Sequence, residues 1–121
     1  TKLGARSALG LEIDQTAVGV AKQNVRANGG EPSIRIEEGS LPHPDVKTDG
    51  FDIAVANISA RVVSEIAINL VACTRPSGKV VASGILQEKS LAVQDALIQA
   101  GAVVDEVVVD GDWVTIVASV P

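Results

Sequence analysis

Aromatic side chains are almost missing from this chain: Phe51 and Trp113 are the only two among 121 residues. The apolar content, 46%, comes mostly from Ala, Val, Ile and Leu. Val- and Ile-rich runs without aromatics suit buried parallel strands better than the core of a β-sandwich. Cysteine is as scarce. Cys73 stands alone, which excludes an internal disulfide and a cysteine-based zinc site. It falls on an apolar helical stretch and reads as a small core residue, not a nucleophile. The one histidine, His43, lies between Pro42 and Pro44 and reads as a surface loop residue, so the chain offers no metal site. Cations are outnumbered, 10 Lys and Arg against 15 Asp and Glu, for a net charge of −5. That argues against a general nucleic-acid surface, which needs clustered Lys and Arg, and leaves a basic protein substrate open. No apolar run is long enough to span a membrane and no signal peptide is visible, so the default expectation is a cytoplasmic protein.

What is present is an alternation of strands and helices organised around residues 51–59, FDIAVANIS. After Asp52 comes the uncharged run Ile53, Ala54, Val55, Ala56, which closes on Asn57. Such a run predicts a strand covered on both faces in the middle of a parallel sheet. Taken in order, Leu3-Gly4-Ala5 reads as a helix end with glycine as the left-handed terminator. Residues 7–13 (SALGLEI) predict a first strand, ending near the acidic Glu12 and Asp14. Asp14 is placed to cap a helix over 15–28, whose stripe is Ala17, Val18, Ala21 and Val25, and Asn28-Gly29-Gly30 stops it. Ile34-Arg35-Ile36 alternates as a short strand, Gly39-Ser40-Leu41 follows, and 42–50 is a loop.

Beyond the 51–57 strand, a helix over 60–72 buries Val63, Ile66, Ala67 and Leu70. Arg75-Pro76-Ser77-Gly78 reads as a turn, and 79–83 (KVVAS) as a buried strand leaving at Gly84-Ile85-Leu86. A helix over 88–100 buries Val93, Ala96, Leu97 and Ala100 and stops at Gly101. Strands over 103–109 and 113–120 are joined by Asp110-Gly111-Asp112, a turn short enough to demand antiparallel pairing. The pattern is one α/β domain over 1–121, with a parallel body and an antiparallel edge.

In a parallel sheet the strand ends at Glu12, Gly39-Ser40-Leu41, Asn57 and Gly84 all emerge on one edge, where open α/β sheets bind ligands. A carboxylate at Glu12 can accept from both hydroxyls of a ribose, and Ile13 can offer an apolar face to an adenine ring. The backbone around Ser40 and Leu41 can read the adenine edge, and Asn57 presents both a donor and an acceptor near the reactive end of a nucleoside-type ligand. Plainer readings stand beside these. Glu12 can be a solvated acid, Ser40 a turn residue, Asn57 the cap of the helix beginning near residue 60, and Gly84 a relief of steric crowding. Trp113 reads as packing, with lining of a substrate entrance as the other option.

This alternation, the final hairpin and the strand-end residues resemble the class I S-adenosylmethionine-dependent methyltransferases, a Rossmann-like fold. Residues 37–41 (EEGSL), 52–59 (DIAVANIS), 83–86 (SGIL) and 111–114 (GDWV) resemble more closely the methyltransferase family that modifies ribosomal protein eleven of the large subunit. The resemblance covers essentially the whole chain, in order. It implies S-adenosylmethionine as cofactor, with Glu12 as the acidic ribose ligand where Asp is commoner. Gly39-Ser40-Leu41 then corresponds to the adenine-side segment and Asn57 to the asparagine beside the methionine moiety. It also implies methyl transfer to amino groups of a ribosomal protein, without metal and without direct nucleic-acid contact. No catalytic side chain is assigned.

The resemblance implies too that the family's first strand and glycine-rich loop, and a separate substrate-recognition domain, precede Thr1. The sheet is then expected to have two open edges, with the chain a fragment, or closed by another copy through self-association, or re-paired by direct joining of those edges. Such a chain is expected to hold cofactor weakly. Competing readings are a methyltransferase for RNA or a small molecule, a nicotinamide-dependent dehydrogenase, and a non-catalytic fragment. The first loses ground because Ile58-Ser59 follow Asn57 where prolines are usual, and the second because of the terminal hairpin.

Overall fold

The computed structural model describes residues 4–121, so Leu3 of the expected helix end lies outside the described residues, and Gly4 has φ +102. The chain falls into two units, residues 1–43 and 44–121. In the first, β1 (Ala8–Glu12) and β2 (Ile34–Glu38) pair in parallel across helix α1 (Gln15–Ala27), with Glu12 opposite Glu38. Asp14 caps α1 as expected: its carboxylate accepts from Thr16 N at 2.9 Å. The expected stripe is correct in spacing, but only Val18 is buried; Ala17, Ala21 and Val25 are half-buried.

The second unit holds β3 (Phe51–Asn57), α2 (Ala60–Cys73), β4 (Thr74–Leu86), a 3-10 turn at Gln87–Lys89, α3 (Ser90–Gln99), β5 (Val103–Asp110) and β6 (Trp113–Ser119). Its sheet has the order β3-β4-β6-β5, with β3 parallel to β4 and the remaining pairs antiparallel. This is the mixed sheet with a C-terminal hairpin that the alternation predicts. Among the described residues β1 pairs only with β2, and β3 pairs only with β4.

The core of this unit lies on one face of its sheet. Val80, Ala82 and Ile85 of β4 and Val114, Ile116 and Ala118 of β6 are at most 1% exposed. Opposite them α2 supplies Val63, Ala67 and Leu70, and α3 supplies Val93 and Leu97. Cys73 belongs here too: it is buried, donates to Leu70 O, and burial pushes its thiol pKa up. It is the inert core residue expected from the sequence.

Three expectations need correction. The 51–57 strand is not covered on both faces. It is an edge strand of its sheet, with Ala56 buried but Ile53 57% and Val55 67% exposed. Alternation sends Ala54 and Ala56 to the helices and Ile53, Val55 and Asn57 to the opposite face. The 75–78 turn is instead part of β4. Phe51 is opposite Thr74 but Ile53 is opposite Lys79, so the extra residues bulge out, with Ser77 at φ +70. The bulge is satisfied by β6's end: Ser77 N donates to Val120 O at 2.8 Å, and Val120 N to Gly78 O at 3.0 Å. Finally, the hairpin's two central residues are Gly111 and Asp112, with Asp110 opposite Trp113 and Gly111 at φ +60.

A polar clasp joins β4, β5 and β6 at the other end of the sheet. Asp105 is the extra residue where β5 shifts register, between Val104 and Glu106. Its carboxylate accepts from Ser119 Oγ and from Lys79 Nζ, the latter at 3.0 Å, and Lys79 also donates to Ser119 at 2.6 Å. The hydrogen bond from Ser119, then that from Lys79, holds the Asp105 pKa below the ordinary aspartate value. A carboxylate pKa depressed by folding adds stability above its unfolded value, and that stability is lost as pH falls through the folded value. Asp105→Asn is therefore expected to lower the urea midpoint at pH 7. As the pH is lowered below the ordinary aspartate range, the difference from the parent chain should close. A gap that stays constant with pH would contradict the clasp.

Candidate functional site

The sequence-predicted residues divide between the two units, each of which presents a strand-exit rim. In the 1–43 unit the parallel pairing of β1 with β2 brings Glu12 and the 39–41 segment to the same end. Gly39 N donates to Glu12 O at 2.9 Å, which locks the exits together. Glu12 Oε1 accepts from Asp14 N at 3.2 Å, so the carboxylate is drawn over the start of α1. Ile13 stands 73% exposed beside it, an apolar side chain left in water at the rim. Ser40 and Leu41 are half-buried.

His43 is not an isolated surface loop side chain. Its Nε2 lies 3.2 Å from Glu38 O, and its ring occupies the space over Gly39, where a Cβ would come 2.9 Å from Cδ2. Gly39 also has φ +132, a conformation that favours glycine. The histidine thus holds the 39–43 segment in place after β2. The chemistry this rim offers is a carboxylate acceptor, an exposed aliphatic surface and a run of backbone amides, a set suited to a nucleoside.

In the 44–121 unit the exit rim is formed by β3 and β4, with Asn57 opposite Ser83. The cap reading of Asn57 is removed here. Ser59 is the N-cap of α2, its hydroxyl accepting from Val62 N at 3.4 Å. Among the described residues no hydrogen bond engages the Asn57 amide, and the residue is exposed. Both its donor and acceptor are therefore open to a ligand. Gly84 follows Ser83 with φ +73, and its missing Cβ leaves room for Asn57 Oδ1.

Two neighbours escaped the sequence reading. Ser83 Oγ and Thr115 Oγ1 are 3.0 Å apart and extend a polar row from Asn57 across β4 to β6. Thr115 lies mid-strand in an alternating run, and only the β4–β6 register reveals its place. Trp113 is 54% exposed beside Leu86, which corrects the packing reading. Among the described residues no cluster of potential metal ligands is present and no helix is long and apolar enough to cross a membrane.

Comparison with known proteins gives a consistent result. The family model described as ribosomal protein L11 methyltransferase (PrmA) matches residues 1–120. A ribosomal protein L11 methyltransferase of Listeria innocua is 35% identical over 117 residues, covering 97% of this chain and 37% of that protein. One from Alkaliphilus oremlandii is 37% identical over 119 residues, covering 98% of this chain and again 37% of the relative. The chain thus spans little more than a third of the length of these relatives. Among solved structures, the ribosomal protein L11 methylase of Lactobacillus delbrueckii subsp. bulgaricus matches with TM-score 0.87 and 29% identity, over 98% of this chain and 60% of that one. A methyltransferase from Pyrococcus furiosus shares the fold, with TM-score 0.74 and 18% identity over 93% of this chain and 61% of its own.

The division of labour between Ser59 and Asn57 can be measured. Ser59→Ala should destabilise the chain by about 1 kcal/mol, the usual value of a helix N-cap. Asn57→Ala should change stability by less than about 0.5 kcal/mol, as for an exposed side chain without partners. Urea denaturation of both variants checks this, and the reverse order would return Asn57 to the role of cap.

Proposed function

The chain belongs to the ribosomal protein L11 methyltransferase family, and from that premise we propose that it carries cofactor-binding elements of an S-adenosylmethionine-dependent methyltransferase. Its substrate, on this reading, is a ribosomal protein of the large subunit, methylated at amino groups in the cytoplasm. The observation that carries the proposal is the strand-exit rim of the 1–43 unit, where Gly39 N donates to Glu12 O and Ile13 stands exposed beside the Glu12 carboxylate.

The residues present fit the cofactor. On the rim of the 1–43 unit, Glu12 would accept hydrogen bonds from the ribose hydroxyls. Ile13 would cover one face of the adenine, and the backbone at Ser40 and Leu41 would meet its edge. The exposure of Ile13 supports this, since an aliphatic side chain in water gains by being covered. On the rim of the 44–121 unit, Asn57 would serve the methionine end with an amide that no hydrogen bond engages among the described residues. When bound, the cofactor supplies an electrophilic methyl carbon on a sulfonium.

The protein's part is alignment. The Asn57 amide oxygen can accept an N–H of an incoming neutral amine and fix the direction of its lone pair. The amine must arrive deprotonated, and after transfer its surplus proton leaves to water. Net charge −5 suits a cationic protein substrate. No side chain is required to act as a nucleophile, which accords with a buried and inert Cys73.

Calorimetric titration of the 121-residue chain with S-adenosylhomocysteine tests the binding. Binding is expected, and Glu12→Ala should weaken it by about ten- to a hundredfold, the range for losing hydrogen bonds to a charged group. Radiolabelled methyl transfer to purified ribosomal protein L11 tests the substrate. Transfer to RNA but not to the protein would replace the substrate class, and the absence of any binding at millimolar ligand would overturn the reading of the rims.

A further inference from the structure

At Gly84 the backbone of β4 and the side chain of Asn57 compete for one space. A Cβ built on Gly84 would lie 2.4 Å from Asn57 Oδ1, far inside van der Waals contact. The residue also has φ +73, and the pairing of β4 with β6 breaks at the same place, passing from Ala82–Ile116 to Ile85–Val114. A glycine inside a strand commonly marks such a bulge or a close approach. Other glycines in the chain separate the two effects. Gly29 (φ +66) and Gly111 (φ +60) share the left-handed backbone, yet nothing lies within 4 Å of their Cβ positions. At those positions glycine serves the backbone alone. At 84 it also makes room for a particular side chain.

That side chain has little else to hold it. Asn57 is exposed and, among the described residues, its amide has no hydrogen-bond partner. The flanking β4 residue is fixed from its far side, by Ser83 to Thr115 at 3.0 Å. Ser83 beside the amide is thus tied to β6, while among the described residues no hydrogen bond holds the amide in its seat on Gly84.

We propose that Gly84 is a positioning residue for Asn57: the absence of its side chain, at the break in the β4–β6 register, selects the orientation in which the Asn57 amide stands at the strand exit. A methyl group at 84 drives Oδ1 out of that place. The functional meaning of this rests on the cofactor role of Asn57 proposed above, whereas the geometric part does not.

The test uses the isotope-labelled 121-residue chain and its Gly84→Ala, Gly111→Ala, Asn57→Ala and Asn57→Ala/Gly84→Ala variants. Gly84→Ala and Gly111→Ala should both lower the urea midpoint, since each places a Cβ at positive φ. Only Gly84→Ala should shift the side-chain amide resonances of Asn57. It should also weaken S-adenosylhomocysteine about tenfold, the scale of one lost hydrogen bond, and cause no further loss in the Asn57→Ala background. Unmoved Asn57 resonances in Gly84→Ala overturn the proposal, as does an equal loss of affinity with and without Asn57. If Gly84→Ala alone does not fold, recovery in the double variant reports the clash, and failure to recover counts against it. Shifted resonances with affinity unchanged in both Gly84→Ala and Asn57→Ala would end the cofactor role of Asn57 and leave the positioning intact.

Discussion

The burial of one face of the four-stranded sheet is the constraint on which the 44–121 unit depends. β4 is its hub, because it pairs with β3 on one side and β6 on the other. Val80, Ile85, Val114 and Ile116 are essentially free of water, as are Val63, Val93 and Leu97 on the helices. Each fully buried side chain of this kind contributes roughly 1.5–3 kcal/mol. Exposed ion pairs such as Arg61–Glu65 fall short of that, typically contributing under about 1 kcal/mol. The alanines, Ala56, Ala67, Ala82 and Ala118, are as informative as the larger residues. They let the helices sit close to the strands without leaving voids, which interiors do not tolerate.

β3 shares in this core only through Ala54 and Ala56, since its larger residues, Ile53 and Val55, point away and stay exposed. What holds Asn57 in place is therefore less the packing of its own strand than the ladder to β4. That ladder runs without interruption from Ile53–Lys79 to Asn57–Ser83. The strand that carries Asn57 is thus registered by a neighbour whose own position is fixed by the core. A binding residue on a rigid element can be placed more accurately than one on a loop.

Features set by local chemistry were legible in the sequence. Asp14 precedes an apolar stripe and has one way to satisfy the first amides of the helix; the structure uses it. The turn residues at 110–112 specified a hairpin, and the spacing of α2 and α3 picked out Val63, Ala67, Leu70, Val93 and Leu97 as buried, while Ile66, Ala96 and Ala100, also expected inside, are half-buried. The features missed are set by pairing across distance. An apolar run such as 53–56 cannot show whether it has neighbours on both sides, so its exposed face was invisible. Arg75-Pro76-Ser77-Gly78 has turn composition, but its backbone bonds to Val120, more than forty residues away, and becomes part of a strand. Asn57 and Ser59 are both good capping types, and which one caps depends on where the first turn starts. The exits at Glu12, Ile13, Ser40, Leu41 and Asn57 could be named from the sequence. The Gly84 seat and the Ser83–Thr115 contact beside Asn57 could not, because they arise from register.

The 1–43 unit obeys a different economy. Its sheet has two strands, and Val18 is its one buried hydrophobic residue among those described. With so few fully buried side chains among the described residues, packing contributes less here than in the 44–121 unit. Order at its rim comes instead from short-range polar contacts: Gly39 N on Glu12 O, Asp14 N on the Glu12 carboxylate, and His43 against Glu38 O. Each is a bond of modest net value, about 1 kcal/mol. A ligand bound to this rim would add to its stability in proportion to the logarithm of concentration over dissociation constant. The same bond that orders the rim also binds it to a compromise: the Glu12 oxygen given to Asp14 N is one lone pair fewer for a ribose. A carboxylate has capacity for both, and the contact fixes the direction of the group before a ligand arrives. Fixing the direction of an acceptor in advance lowers the ordering cost of any bond it later makes.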